Sequence, residues 1–284
     1  MLTVGGNFLT TLRESINMRK FILPVALAAA SVSVSAPASA QQAAATPPPP
    51  PLVAGNMTLV TDYRFRGISQ TLGRPAFQGG FDYAHESGVY LGNWNSNVSS
   101  AAGYPGASLE MDFYGGYKKA FGDFGVDVGA IYYYYPGSEA NLLGAANPHS
   151  AKTNSGTVHN FEGYIGGNWK WLSLKWFHAF SDYFMVPDTK GSNYIDFTAT
   201  YDIGNGWGAV GHIGKAKVHN FSEADYTDYK LGATKDVSGW LFGAALVGTN
   251  AKGKTGEPYG MFKANGSVYD AGKTTIVLSV GKTF

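Results

Sequence analysis

The chain has 284 residues, with 21 Lys and Arg against 20 Asp and Glu, for a formal net charge of +1. This balance gives no electrostatic reason to bind nucleic acid, and the lack of cysteine excludes disulfides and thiolate metal sites. Charged residues make up only 14% of the chain, against about 25% in soluble domains. Aromatic residues also reach 14%, and there are 38 glycines. A membrane wall built of aromatic and small residues has this composition.

The N-terminus has the layout of a secretory signal. Arg19 and Lys20 precede the apolar run FILPVALAAASVSVSA, and the small residues Ala38-Ser39-Ala40 follow it. We therefore predict a signal peptide over 18–40, cleaved after Ala40, with 1–17 as an upstream extension. A membrane anchor is the alternative, but the apolar run is short and contains a proline. Removing 1–40 takes away three basic residues and one acidic residue, which leaves 18 and 19.

The segment after the signal is a low-complexity spacer. Residues 41–51 read QQAAATPPPPP, and consecutive prolines favour an extended polyproline II conformation. We predict that 41–55 is a periplasmic tether and that 56–284 is the folded domain.

From residue 56 onward the apolar and polar residues alternate. In TDYRFRGISQ, Asp62, Arg64 and Arg66 alternate with Tyr63 and Phe65, which is typical of a strand with two unlike faces. Such a strand could rest on a soluble core with its charges in water. It could also turn its aromatic residues to lipid and its charges to a water-filled lumen. After the signal, no stretch approaches the roughly 20 apolar residues of a membrane-spanning helix.

The pattern predicts twelve strands, at about 56–67, 76–85, 88–97, 108–119, 123–135, 158–169, 171–183, 192–203, 206–215, 226–236, 239–250 and 273–284. Most have the roughly 9–11 residues needed to cross a bilayer. Short and long connections alternate along the whole chain, which a soluble sandwich does not require. The fold class we predict is all-β: an antiparallel transmembrane β-barrel of about twelve strands, with ten to fourteen possible, short periplasmic turns and long extracellular loops.

Aromatic residues cluster beside the short turns. The predicted periplasmic girdle comprises Tyr83, Phe124, Trp169, Trp171, Trp207 and Trp240. The chain ends at Phe284 in a strand, a feature of many substrates of the outer-membrane assembly machinery. We therefore predict a location in the bacterial outer membrane, with its lipids and that machinery as partners.

The charged side of each strand should face the lumen, because Arg at mid-depth on the lipid face costs about 2–4 kcal/mol. The candidates for the lumen or its constriction are Asp62, Arg64, Arg66, Glu110, Asp112, Glu162, Lys175 and Asp196. By parity the lumen also receives Asp82, Asp127, His212, Asp228 and Lys230. We predict passive diffusion of small polar solutes or ions, with Arg64 and Arg66 of the first strand facing the carboxylates.

A sealed barrel is the alternative function. Eight-stranded barrels fill their interiors and those of 16–18 strands hold a channel, so twelve strands do not decide between the two. In a sealed barrel the loops 136–157 and 251–272 would bind partners at the cell surface. A third candidate is an outer-membrane lipid hydrolase, but the chain lacks G-x-S-x-G and its six His are scattered. We predict no enzyme activity, no cofactor and no metal.

One segment matches a nucleotide-binding motif. Residues Gly248–Thr255, GTNAKGKT, satisfy the phosphate-loop pattern G-x-x-x-x-G-K-[ST]. A phosphate-binding loop of this type leads directly into a helix. Here Gly256, Pro258 and Gly260 follow, and these residues disfavour a helix. We interpret the segment as an extracellular loop that binds no nucleotide.

The block TDYRFRGISQT followed by PAFQGGFDYAHESGVYLGNWNSNVSS resembles the TorF-type porin family of proteobacterial outer-membrane proteins. The resemblance continues through LEMDFYGGYK, the YYYYPG stretch at 132–137 and SDYF at 181–184. It covers most of 56–284, although only the N-terminal block is specific. The resemblance implies an outer-membrane location and a porin role, and it implies no substrate.

Overall fold

The computed structural model describes residues 52–143 and 146–284, which form one closed antiparallel barrel of twelve long strands. The wall strands are β1 (Val53–Val60), β4 (Ala76–Ala84), β5 (Val89–Asn97), β6 (Leu109–Phe121), β7 (Phe124–Tyr134), β8 (His159–Trp169), β9 (Leu172–Ala179), β10 (Asn193–Gly204), β11 (Trp207–Lys217), β12 (Tyr226–Val237), β13 (Trp240–Thr249) and β16 (Thr275–Thr283). Two small hairpins form sheets separate from the wall. They are β2 (Arg64–Phe65) with β3 (Ile68–Ser69), and β14 (Gly260–Phe262) with β15 (Val268–Asp270). Short 3-10 turns occur at Ser100–Ala102, Ala140–Leu143, Tyr183–Met185 and Ser222–Ala224.

The predicted twelve-stranded barrel is confirmed. Each wall strand pairs with its neighbour along the wall, and β1 closes the ring by pairing with both β4 and β16. Closure pairs the backbone groups of every wall strand and leaves no open sheet edge, as a lipid environment requires. β1 starts at Val53, within the predicted tether, whereas the signal peptide and residues 41–51 of the tether fall outside the described residues.

Short and long connections lie at opposite ends of the barrel. The short ones are 85–88, 122–123, 170–171, 205–206 and 238–239. Asn205-Gly206 and Ser238-Gly239 have positive φ at both positions, the geometry of the tight hairpin turns that match strand twist. The long connections are 61–75, 98–108, 135–158, 180–192, 218–225 and 250–274.

The outer surface is an apolar belt. Large hydrophobic side chains alternate outward along the wall and stay exposed, for example Leu91, Leu174, Ile195, Leu231 and Leu278. Contact with lipid removes the unfavourable free energy of exposing these apolar side chains to water. Among the described residues, no helix is long and apolar enough to cross a membrane.

The first predicted strand is wrong beyond Val60. There the chain leaves the wall and turns into the barrel, and residues 62–72 are buried without interruption. Tyr63 and Phe65, which we expected on the lipid face, are 1% and 5% exposed inside the barrel. We call residues 61–75 the inner segment.

The inner segment folds back on itself around a carboxylate and a tight turn. The Asp62 carboxylate accepts hydrogen bonds from the Ser69 and Thr71 hydroxyls and from the Gly73 amide. Arg66 and Gly67 take φ of 47° and 79°, which reverses the chain between β2 and β3. A straight transmembrane strand would not bring the Asp62 carboxylate to these hydroxyl and amide donors. The local hydrogen bonds therefore favour the folded-back conformation over a continuation of the wall strand.

Candidate functional site: the barrel lumen

The lumen has a packed half and an open half. Along β6 the inward residues change from buried Glu110 and Asp112 near the long loops to half-buried Lys118 and exposed Ala120 near the short turns. Strand β10 shows the same change, from buried Tyr194 to exposed residues near its other end. Water therefore reaches the interior from the short-turn end, and the inner segment fills the other end.

Arg66 attaches the inner segment to the wall. Its Nη1 and Nη2 donate to the Glu162 carboxylate oxygens at 3.0 and 2.6 Å, and Nη1 also donates to the Tyr183 hydroxyl at 3.0 Å. The guanidinium lies 4.9 Å from the Phe177 ring centre and 4.2 Å from that of Tyr194. This two-point geometry between a planar guanidinium and a carboxylate is the strong form of an ion pair.

Arg64 attaches the inner segment to a loop instead. Its Nε donates to Asp62 at 2.7 Å, and its Nη1 donates to the carbonyls of Gly67, Ala271 and Lys273 at 2.9, 3.0 and 2.9 Å. The predicted constriction had Arg64 on a wall strand facing Glu110, Asp112 and Glu162. The structure corrects this, because only Arg66 of the two contacts one of those carboxylates.

Glu110 and Asp112 are two further buried carboxyl groups of the packed half. Glu110 accepts a hydrogen bond from the Tyr135 hydroxyl at 2.8 Å, whereas Glu110 Oε2 and Asp112 Oδ1 have no hydrogen-bond partner among the described residues. The two arginines of this region are matched by Asp62 and Glu162. A buried carboxyl group with no cation partner is costly to ionise, so the ionic balance of the packed half rests on these two pairs.

The open half is lined by paired charges. Lys175 Nζ contacts Asp127 Oδ2 at 2.8 Å, and the Tyr90 hydroxyl donates to Asp127 Oδ1 at 2.5 Å. The Tyr90 and Tyr164 hydroxyls lie 2.5 Å apart. Asp82 accepts from the Tyr114 hydroxyl at 2.6 Å. Both signs of charge thus face the solvent-accessible lumen.

His212 forms a cluster that superficially resembles a nucleophile and its base. Its Nδ1 lies 3.0 Å from Thr198 Oγ1 and 3.4 Å from Asp196 Oδ2, while its Nε2 lies 2.7 Å from Asp228 Oδ1. A ring with a carboxylate at each nitrogen donates from both and keeps no lone pair to accept a proton from Thr198. Thr198 Oγ1 itself donates to Asp196 at 2.8 Å. The absence of enzyme activity stays a prediction.

The remaining predicted site residues lie away from the lumen. The six girdle residues are all exposed on the outer surface at the short-turn end, and Phe284, whose amide bonds to the Gly55 carbonyl at 2.8 Å, is exposed beside them. The Gly248–Thr255 motif covers the end of β13 and the loop after it, and turns follow it up to β14. Across 52–143 and 146–284, no group of three or more His, Asp or Glu is arranged to hold a metal ion.

Sequence reasoning missed the aromatic core of the packed half. Tyr104 stacks on Tyr135 with ring centres 3.7 Å apart, and Phe184 contacts Phe65 and Tyr133. A signal was present, because two-residue alternation in YYYY must send half of its rings inward. Tyr133 and Tyr135 are the inward pair of this stretch, and both are buried.

Several solved outer-membrane barrels have some similarity to this chain. A KdgM porin in complex with disordered oligogalacturonate aligns over 82% of this chain and 97% of its own, with 8% identity and a TM-score of 0.47. The NanC porin aligns over 82% and 98%, with 9% identity and a TM-score of 0.44. OccAB3 of Acinetobacter baumannii aligns over 82% and 65%, with 13% identity and a TM-score of 0.38.

No curated protein matches this sequence. A family model does match it, over residues 44–284, which is most of the chain and the whole barrel. The chain belongs to the family described as bacterial protein of unknown function (Gcw_chp).

Proposed function

We propose that this protein is a porin-like channel of the bacterial outer membrane, through which small polar solutes or ions diffuse passively. One observation carries the proposal: an apolar outer belt encloses a lumen whose open half is lined by charged side chains that water can reach. Charges placed inside a membrane barrel are costly unless they line a polar path. Their mixed signs favour small polar solutes and ions over apolar ones.

The predicted signal peptide, the aromatic residues at the short-turn end and the C-terminal Phe284 support an outer-membrane location. The short turns would then face the periplasm and the long loops the outside. The resemblance to the TorF-type porin family supports the same role. The outer-membrane assembly machinery would insert the barrel, and its lipids would surround it.

The inner segment would form the constriction. It joins the wall through the Arg66–Glu162 pair and joins the loop 250–274 through Arg64, which are polar contacts that can break and reform.

A sealed barrel is the second candidate, and the uninterrupted burial of residues 62–72 is the observation that favours it. In that case the lumen charges would brace the wall, and the loops 136–157 and 251–272 would carry the function.

Planar-bilayer recording tests the two against each other. Refolded 41–284 should give discrete conductance steps, and the sign of the reversal potential in a salt gradient would report which lumen charges dominate. The double variant R66Q/E162Q removes the wall attachment without leaving a lone buried charge, and its steps should be larger. Heat-dependent gel mobility would show that each protein is folded. If neither folded protein then gave conductance steps, the result would contradict the channel and favour the sealed barrel.

A further inference from the structure

A polar pocket of about 380 Å³ lies where the inner segment, the wall and the loop 250–274 meet. Thr61 and Gly73 of the inner segment form one side, and Lys263, Lys273 and Tyr269 form the other. Thr275 and Ile276, at the start of β16, complete it. The channel proposal assigns no role to this pocket.

Two lysines converge on one ring in the pocket. Lys263 Nζ and Lys273 Nζ each lie 4.5 Å from the centre of the Tyr269 ring, which is itself buried. Neither lysine has a carboxylate within ion-pair distance among residues 52–143 and 146–284. Two like charges near one ring repel each other, and an anion bound in the pocket would offset that repulsion.

The acidic groups nearby are already used. Asp62 lines the pocket, but Arg64 and three further donors saturate its oxygens. Asp270 accepts the Gly272 amide at 2.9 Å and does not line the pocket. Among the lining residues Asp62 is the one carboxylate, and its pairing with Arg64 leaves the two lysines as the excess charge of the pocket.

The position of the pocket indicates what reaches it. Ile276 is 66% exposed on the apolar belt, so the pocket opens where that belt ends, at the long-loop rim. Lysines at this height sit level with lipid headgroups, and basic pockets there bind phosphate-bearing headgroups. Lysine contacts phosphate as a point charge and needs no planar match.

We propose that the pocket binds a phosphate monoester, carried by a lipid of the outer leaflet. Lys263 and Lys273 would contact the phosphate oxygens, and the hydroxyls of Thr61 and Thr275 stand at the same pocket as further donors. This inference depends on the outer-membrane orientation in the proposed function and does not depend on conduction.

Native mass spectrometry of the refolded chain tests the proposal, with lipid A, dephosphorylated lipid A and inorganic phosphate as separate probes. We expect the chain to retain phosphorylated lipid A, and K263Q/K273Q to bind it at least tenfold more weakly. The matched control is K282Q, because Lys282 also lies beside an aromatic ring, 5.2 Å from that of Trp240, but at the opposite rim, near the end of β16. K282Q should bind as the wild type does.

Three results would overturn the proposal. Equal retention of dephosphorylated lipid would show that phosphate is not recognised. Unchanged binding by K263Q/K273Q, with normal heat-dependent gel mobility, would place the lipid elsewhere. Binding of inorganic phosphate without phosphorylated lipid would contradict the lipid source. Conductance of K263Q/K273Q should match the wild type, so a failed lipid experiment is distinct from a failed channel experiment.

Discussion

Arg66 and Glu162 are 96 residues apart in the chain and share two hydrogen bonds, of 3.0 and 2.6 Å, inside the barrel. Glu162 belongs to the wall strand β8, whereas Arg66 belongs to the inner segment. Their side chains are 1% and 2% exposed. The pair therefore joins the inner segment to the barrel wall, away from the screening effect of water.

Removing one partner of this pair should be costly. R66Q leaves the Glu162 carboxylate buried without its cation, which typically costs about 3–5 kcal/mol. We expect a loss of this size in urea unfolding of the folded barrel in lipid, together with larger and noisier conductance steps. R66Q/E162Q should recover most of the stability, because the unpaired charge is gone.

The control for that prediction is an exposed ion pair. Lys152 Nζ contacts Asp188 Oδ1 on the loop surface, with Lys152 71% exposed. K152Q should leave unfolding close to that of the wild type, as is usual for exposed pairs. A change of similar size in K152Q and R66Q would show that the Arg66 pair has no special role.

The turn of the inner segment permits a steric test of its fit. Gly67 has a φ of 79°, and an added Cβ would lie 2.5 Å from Thr249 Cγ2 and 2.7 Å from Asp228 Cβ. G67A should therefore displace the inner segment and increase conductance, while the wall still forms. Faster proteolysis within 61–75 would report the same displacement.

A second glycine separates the clash from backbone strain. Gly137 has the same φ of 79°, but its added Cβ would meet only the Gly106 carbonyl oxygen, at 3.8 Å. G137A thus isolates the cost of positive φ, about 1 kcal/mol. If G67A and G137A behaved alike, tight packing around Gly67 would not hold the inner segment in place.

The barrel could be predicted from the sequence because its signals repeat. The two-residue period of NYIDFTATYDI recurs in most of the wall strands. Because one side of each strand faces the lumen and the other faces lipid, only one pairing register keeps both sides in place. Glycine-containing turns such as Asn205-Gly206 mark the hairpins. A strand whose own pattern is ambiguous can therefore still be placed from the strands and turns on either side of it.

The inner segment could not be predicted because its pattern is that of a wall strand. Asp62 to Arg66 alternates as a strand does, and only its long-range partners show otherwise. Those partners, Glu162, Ala271 and Lys273, are about a hundred to two hundred residues away in the chain. Local periodicity carries no information about contacts of that kind.

The charges of the open half should set ion selectivity. Lys175 neutralises Asp127 at 2.8 Å, and both are partly reached by water. K175Q leaves the Asp127 charge facing the lumen, so the reversal potential in a salt gradient should move toward stronger cation preference. K170Q is the control, because Lys170 is exposed in the short turn between β8 and β9. An unchanged reversal potential in K175Q would place the conducting path away from this pair.

The long loops form a cap that should loosen in acid. Lys152 and Asp188 join the loops 135–158 and 180–192, and His149 contacts Glu223 of the loop 218–225 at 3.0 Å. Hydrogen bonds from Lys152 and then Ser150 lower the pKa of the Asp188 carboxyl below its ordinary value. A bond from its own backbone amide, and then one from His149, lowers the pKa of Glu223.

A carboxyl whose pKa is lower in the folded state stabilises the cap above its unfolded pKa of about 4, and this contribution is lost as pH falls through the lower folded pKa. We therefore expect amide hydrogen exchange in 146–154, corrected for its intrinsic pH dependence, to accelerate below about pH 4. In D188N the cap has already lost this contribution, so exchange should be faster at neutral pH and depend less on acid. D123N, at the short-turn end, should leave these loops unchanged. If D188N kept the wild-type pH profile, the cap would not depend on the Lys152–Asp188 contact.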